Sequence, residues 1–215
     1  MKTSVLVIGL GRFGASAARE LMKLGHEVLA VDSSETIVND IAPEVTHAVQ
    51  LDAADEEALR AIGAAEFDHA IVAISSHVEA SIYATMALKK LGVRNVIAKA
   101  GNPLHGAILE RVGANRVAYP EREMGQRVAH SFAVANVVDY LDVAPRFGIV
   151  KLLPPESFIG RSLNDLDLSR RLRLTPIALR RGDDVTVNPH ADEVVKAGDE
   201  LILIGRDDKL EELGA

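Results

Sequence analysis

The stretch Gly9-Leu10-Gly11-Arg12-Phe13-Gly14 constrains this chain more than any other. It follows a short apolar run, Ser4–Ile8, and opens a helical pattern over Arg12–Leu24. A bare G-x-G-x-x-G is weak evidence. Set between a strand and a helix, with an acidic residue closing the next strand, it becomes the fingerprint of a nucleotide-binding turn. Asp32 stands where that acid is required. The three glycines serve different ends. Gly9 permits the tight turn, Gly11 lets a pyrophosphate approach the backbone, and Gly14 lets the helix lie against the sheet. The free N–H groups of the helix then meet phosphate, and Asp32 accepts from ribose hydroxyls. With Asp32 at that position a 2′-phosphate is disfavoured, and so is NADP. Arg12 reads either as a solvated surface residue or as a guanidinium clamped on phosphate oxygens.

The rest of the first 120 residues repeats the same alternation. Strands are predicted over Ser4–Ile8, Val28–Val31, His47–Gln50, His69–Ile74, Asn95–Ala98 and Arg116–Tyr119. Helices are predicted over Arg12–Leu24, Ile37–Ile41, Asp55–Ile62, Val78–Leu91 and Leu104–Val112. Strict βα order implies a parallel, doubly wound sheet with right-handed crossovers. Glu121–Leu141 then reads as one or two helices with no parallel strand after them. Beyond Pro145 lie four short strand patterns, near Gly148–Leu153, Leu174–Arg180, Val185–Asn188 and Leu201–Gly205, turning at Arg181–Asp184 and Lys196–Asp199. The expected architecture is α/β. A Rossmann-like sheet occupies residues 1–120, crossover and dimerisation helices 121–144, and a small α+β lobe 145–215.

Composition narrows the function. A net charge of −7 and the absence of Trp argue against a nucleic-acid partner. There is no cysteine, which excludes disulfides and thiolate chemistry. No stretch approaches the ~18 apolar residues of a membrane helix, and the amino-terminal run reads as a strand, not a signal peptide. The seven histidines are scattered without metal-ligand spacing and read as surface or packing residues. Ser75-Ser76 lacks a nucleophile frame. A nucleotide bound without catalytic groups points to sensing, so no enzyme is expected. Asp55 reads as a helix cap, and Asp52, at the carboxyl edge of the sheet, as a contact for adenine or ribose.

Several stretches together resemble the RCK (regulator of potassium conductance) family, the cytosolic gating subunits of Ktr and Trk potassium transporters. They are Val7–Gly14, Gly25–Asp32, Gly113–Val117, Tyr119-Pro120-Glu121 through Met124-Gly125, and Ala197–Gly205, spread over nearly the whole chain. The Ktr type is the more similar. The resemblance implies a crossover helix pair that swaps contacts between protomers. It also implies an octameric ring docked beneath a membrane-embedded potassium transporter subunit, which places the chain in the cytoplasm at the inner face of the membrane. It implies ATP and ADP, or NAD(H), bound through Gly9, Gly11, Arg12, Phe13, Gly14, Asp32, Asp52 and Lys99. Arg12 would suit a γ-phosphate, and Glu121 would help hold Mg²⁺ or Ca²⁺ beside it. Glu121 reads equally as an acid at a helix start. Some relatives bind cyclic di-AMP between paired carboxyl-terminal lobes. Arg180 and Asn188-Pro189-His190 read as its contacts or as ordinary strand and turn positions. The alternatives are an NAD-dependent oxidoreductase and a regulator of another channel or exchanger.

Overall fold

The computed structural model describes residues 3–133 and 136–214, which form two compact units, Met1–Glu121 and Arg122–Ala215. In the first unit β1 (Ser4–Ile8), β2 (Glu27–Asp32), β3 (His47–Gln50), β4 (His69–Val72), β5 (Asn95–Lys99) and β6 (Arg116–Ala118) build one parallel sheet in the order β3-β2-β1-β4-β5-β6. The helices between them are α1 (Arg12–Lys23), α2 (Glu35–Ile41), α3 (Glu56–Ala61), α4 (Val78–Lys90) and α5 (Pro103–Arg111).

Side chains on a strand alternate between faces, and here both faces are covered. Val5 and Val7 of β1 point into a core closed by Ala18 of α1 and by Val38 and Ile41 of α2. Leu6 and Ile8 point the other way, into a core with Leu59 of α3, Leu88 of α4 and Leu109 of α5. Burying a Leu or Ile side chain contributes roughly 1.5–3 kcal/mol, so these two layers set the register of β1. Strand order reverses between β1 and β4, which makes the carboxyl edge of that pair the switch point where open α/β sheets bind ligands.

The second unit contains most of α6 (Pro120–Ala133) and a five-stranded antiparallel sheet in the order β10-β9-β11-β8-β7. Its strands are β7 (Val137–Ala144), β8 (Phe147–Leu152), β9 (Thr175–Arg181), β10 (Asp184–Val187) and β11 (Asp199–Arg206). Short helices α7 (Leu163–Leu166), α8 (Leu168–Arg171) and α9 (Asp207–Glu211) supply Leu166, Leu168 and Leu210 to its core, against Val150, Leu179, Leu201 and Leu203 of the sheet.

One expectation is corrected. The segment 121–144 is not helical throughout: α6 covers its first part, residues 134 and 135 lie outside the described residues, and Val137–Ala144 is strand β7 paired with β8. Asn136, at φ 64, stands in the left-handed region just before β7 and cannot continue a helix. Val137, Val138, Tyr140 and Val143 are β-branched or aromatic and suit a pleated surface. Arg127 of α6 pairs with Asp139 of β7, and His130 stacks on the Tyr140 ring at 4.1 Å.

Candidate functional site: the glycine turn at the switch point

The turn from β1 to α1 is fixed by its neighbours. The Gly9 N–H donates to the Val31 carbonyl at 2.8 Å, and Gly9 has φ +88, a conformation that favours glycine. A Cβ there would also stand 2.9 Å from Ile74 Cγ1. At Gly14 a Cβ would overlap the Gly9 carbonyl oxygen. Gly9 and Gly14 are thus explained by the fold alone. Gly11 is not: its backbone is extended, with φ −63 and ψ −176, and a Cβ would meet nothing within 4 Å. The fold tolerates a side chain at Gly11, so the glycine keeps that approach to the backbone clear for something else.

The amino terminus of α1 fits that reading. No side chain caps it and no acid lies in its first turn, whereas Ser34, Asp55 and Asn102 cap α2, α3 and α5. Arg12, exposed, adds a positive charge at the positive end of the helix dipole. That placement disfavours the apo state and favours a bound anion.

Asp32 ends β2 with both carboxylate oxygens engaged. Oδ2 accepts from the Leu10 N–H at 2.6 Å and Oδ1 from the Ser34 N–H at 2.9 Å. The acid therefore ties β2 to the glycine turn before any ligand arrives. Each oxygen retains a further lone pair. Asp52 is exposed after β3, its Oδ1 accepting from the Ala54 N–H at 3.0 Å, while Asp55 caps α3 through the Glu57 and Ala58 N–H groups.

Lys99 closes β5 at the same edge of the sheet. Its side chain is 10% exposed, and Nζ lies 2.6 Å from Glu121 Oε1 and 5.8 Å from the centre of the Phe13 ring. The Lys99 hydrogen bond, then the backbone N–H of Glu121 itself, hold the Glu121 carboxyl below the usual carboxylate range. Burial opposes them, and the nearby charges of Lys99 and Arg12 add to the lowering. Phe13, Lys99 and Glu121 are thus brought together, and Arg12 is close enough for its charge to be felt at Glu121. This pair is the feature that reading along the chain misses, because the partners are 22 residues apart. The only signals are a lysine ending an apolar strand and an acid directly after Pro120. Among the described residues, no group of three or more His, Asp or Glu is arranged to hold a metal ion by itself.

The loop after β5 leads to His105, which is buried and accepts from the Gly101 N–H at 3.4 Å through Nδ1. Its Nε2 has no protein partner, and burial lowers its pKa. His77 starts α4 without capping it.

Two family models match the chain: the TrkA-N domain over residues 5–120 and the TrkA-C domain over residues 148–215. Ktr system potassium uptake protein C of Bacillus subtilis is 41% identical over 95% of this chain and 93% of its own length. Ktr system potassium uptake protein A of the same organism is 38% identical over 93% of this chain and 90% of its own. Among solved structures, the GsuK RCK domain superposes with TM-score 0.71 at 18% identity, covering 100% of this chain and 47% of that one. The GsuK channel bound to NAD superposes with TM-score 0.68 at 19% identity, covering 98% and 38%. The present chain therefore spans about half or less of those solved chains, and the likeness to them is one of fold.

Proposed function

The chain belongs to the RCK family of potassium-transport regulators, with a TrkA-N and a TrkA-C domain and Ktr-type relatives along nearly its whole length, and from that premise we propose that it is the cytosolic, nucleotide-sensing gating subunit of a potassium uptake transporter. The observation that carries the nucleotide reading is Gly11. The fold does not need a glycine there, yet its Cβ direction opens on clear space at the uncapped end of α1. Pyrophosphate is the group such a cradle accepts.

In this reading Gly9, Gly11 and Gly14 shape the turn, and Phe13 packs beside the phosphates. Asp32 holds the ribose while fixing the turn, and Asp52 borders the adenine end. Lys99 and Arg12 supply positive charge. ATP and ADP are the favoured ligands, with NAD(H) as their competitor. ATP is told from ADP by Arg12 reaching the terminal phosphate, aided by Mg²⁺ or Ca²⁺ near Glu121. The protein binds and signals; it does not turn its nucleotide over as a dehydrogenase does. Cyclic di-AMP remains a second ligand to test on the carboxyl-terminal unit.

Support for an assembly comes from α6. Met124, Val128 and Phe132 recur every four residues and are exposed, Phe132 to 86%. Such a stripe suits a second copy of the chain, and the octameric ring of the family is the arrangement proposed. No described helix is long and apolar enough to cross a membrane, so the membrane attachment proposed is through the transporter subunit.

Calorimetry with ATP, ADP and NADH, on protein shown to be nucleotide-free, tests the ligand reading; binding by none of the three would end it. Co-purification with a multi-helix potassium transporter subunit tests the partner.

A further inference from the structure

Among the described residues of the first unit, Lys99 is the lysine that the fold buries, and an ammonium group taken out of water needs an opposite charge. That charge is Glu121, 2.6 Å away, whose own side chain is 68% exposed. The pair is therefore asymmetric: the cation is buried at the end of an inner strand, and the anion lies at the surface. Phe13 of the glycine turn lies beside the same ammonium. Glu121 also sits in the first turn of α6, whose later residues belong to the second unit.

The geometry points to Glu121 as an internal stand-in for the ligand's phosphate: it pairs with Lys99, and a nucleoside di- or triphosphate must displace it. This rests on the nucleotide reading above and adds to it a regulatory contact. Lys99 cannot serve a full carboxylate and a phosphate equally, and two anions sharing one ammonium repel each other. A bound nucleotide therefore releases Glu121, and the first turn of α6 loses its anchor to β5.

The test is calorimetry with ADP in EDTA on the full chain as wild type, Glu121→Gln, Lys99→Gln and the double variant. Removing the stand-in should tighten metal-free ADP roughly three- to tenfold, the scale of one ion pair with a single buried partner. The gain should vanish in the Lys99→Gln background. A simple cation-ligand role predicts no gain without metal, so Glu121→Gln binding that is unchanged or weaker overturns the stand-in while leaving nucleotide binding intact. No heat in any of the four proteins overturns the nucleotide reading and the stand-in with it. Hydrogen exchange of the wild type needs no variant: ADP should speed exchange of the Met124–Gln126 amides in α6. Saturation with ADP that leaves those amides unchanged also overturns the proposal.

Discussion

Gly14 packs so closely on Gly9 that the α1 backbone rests directly on the carbonyl of the preceding turn, with the Ala73 methyl group 3.0 Å from where a Gly14 Cβ would lie. At Gly11, between them, a Cβ would meet nothing within 4 Å. Three glycines of one motif thus divide into two that the fold requires and one that it does not.

The first prediction separates them. Gly14→Ala forces backbone against backbone and should destabilise the protein by about 3 kcal/mol, the upper range for overpacking. Gly11→Ala, in a conformation any residue adopts, should change stability by less than about 1 kcal/mol. Urea unfolding reads both. Calorimetry should then show that Gly11→Ala, though folded, has lost most of its nucleotide affinity.

A second prediction concerns Arg181 and Asp199, the ends of β9 and β11. Arg181 Nε and Nη2 donate to the two Asp199 oxygens, each at 2.8 Å, and Arg181 reaches Glu193 as well. The Asp199 side chain is 1% exposed and that of Arg181 38%. The Arg181 hydrogen bonds hold the Asp199 carboxyl below its ordinary range. Its folded pKa lies below its unfolded value, so this stability is complete above about pH 4 and is lost as pH falls through the folded pKa. Arg181→Met strands a buried anion, whereas Asp199→Asn leaves a cation that can reach water. Arg181→Met should therefore lower the urea midpoint at pH 7 more than Asp199→Asn does. Asp199→Asn should flatten the acid limb of the stability curve.

How far the fold is legible along the chain depends on whether the forces involved are local. β1 begins and ends where the run Ser4–Ile8 does, because a parallel strand buried on both faces has no alternation to confuse. β7 is not legible in this way. Val128, Phe132, Val137 and Leu141 are spaced much as on a helix, and only pairing with β8, together with the left-handed Asn136, decides for a strand. At the candidate site the glycine turn and Asp32 are readable because their spacing is fixed by one β-α-β unit. That Asp32 already holds the Leu10 N–H is not readable, nor is the Lys99–Glu121 pair, since neither contact leaves a mark in local sequence.

A third prediction follows from His105. Burial lowers its pKa, and Nδ1, accepting from Gly101, must be unprotonated. The unfolded chain therefore takes up a proton at higher pH than the folded one. Stability from this residue is complete above about pH 6.5 and declines as pH falls below it. His105→Asn keeps an acceptor near the Gly101 N–H and removes the titration. The difference in unfolding free energy between wild type and His105→Asn, followed from pH 7.5 to pH 5, should shift steadily against the wild type. A difference independent of pH would mean that His105 accepts its proton in place.

The last prediction addresses what Asp32 does, since its loss alone cannot reveal it. Asp32→Ala removes a ribose acceptor and also strands the Leu10 and Ser34 N–H groups, so weakened binding would follow from a loosened turn as readily as from a lost ligand contact. The ligand can be changed instead. If Asp32 accepts from ribose hydroxyls, 2′,3′-dideoxy-ATP should bind the wild type roughly ten- to a hundredfold more weakly than ATP, the range for hydrogen bonds to a charged group. Asp32→Asn keeps a carbonyl oxygen for one backbone N–H and removes the charge. In that variant the ratio between the two ligands should fall to about fivefold, because a hydrogen bond between neutral groups contributes only ~1 kcal/mol. Competition calorimetry on both proteins gives the four affinities. Equal ratios in the two proteins would place the ribose elsewhere and leave Asp32 as the brace of the glycine turn alone.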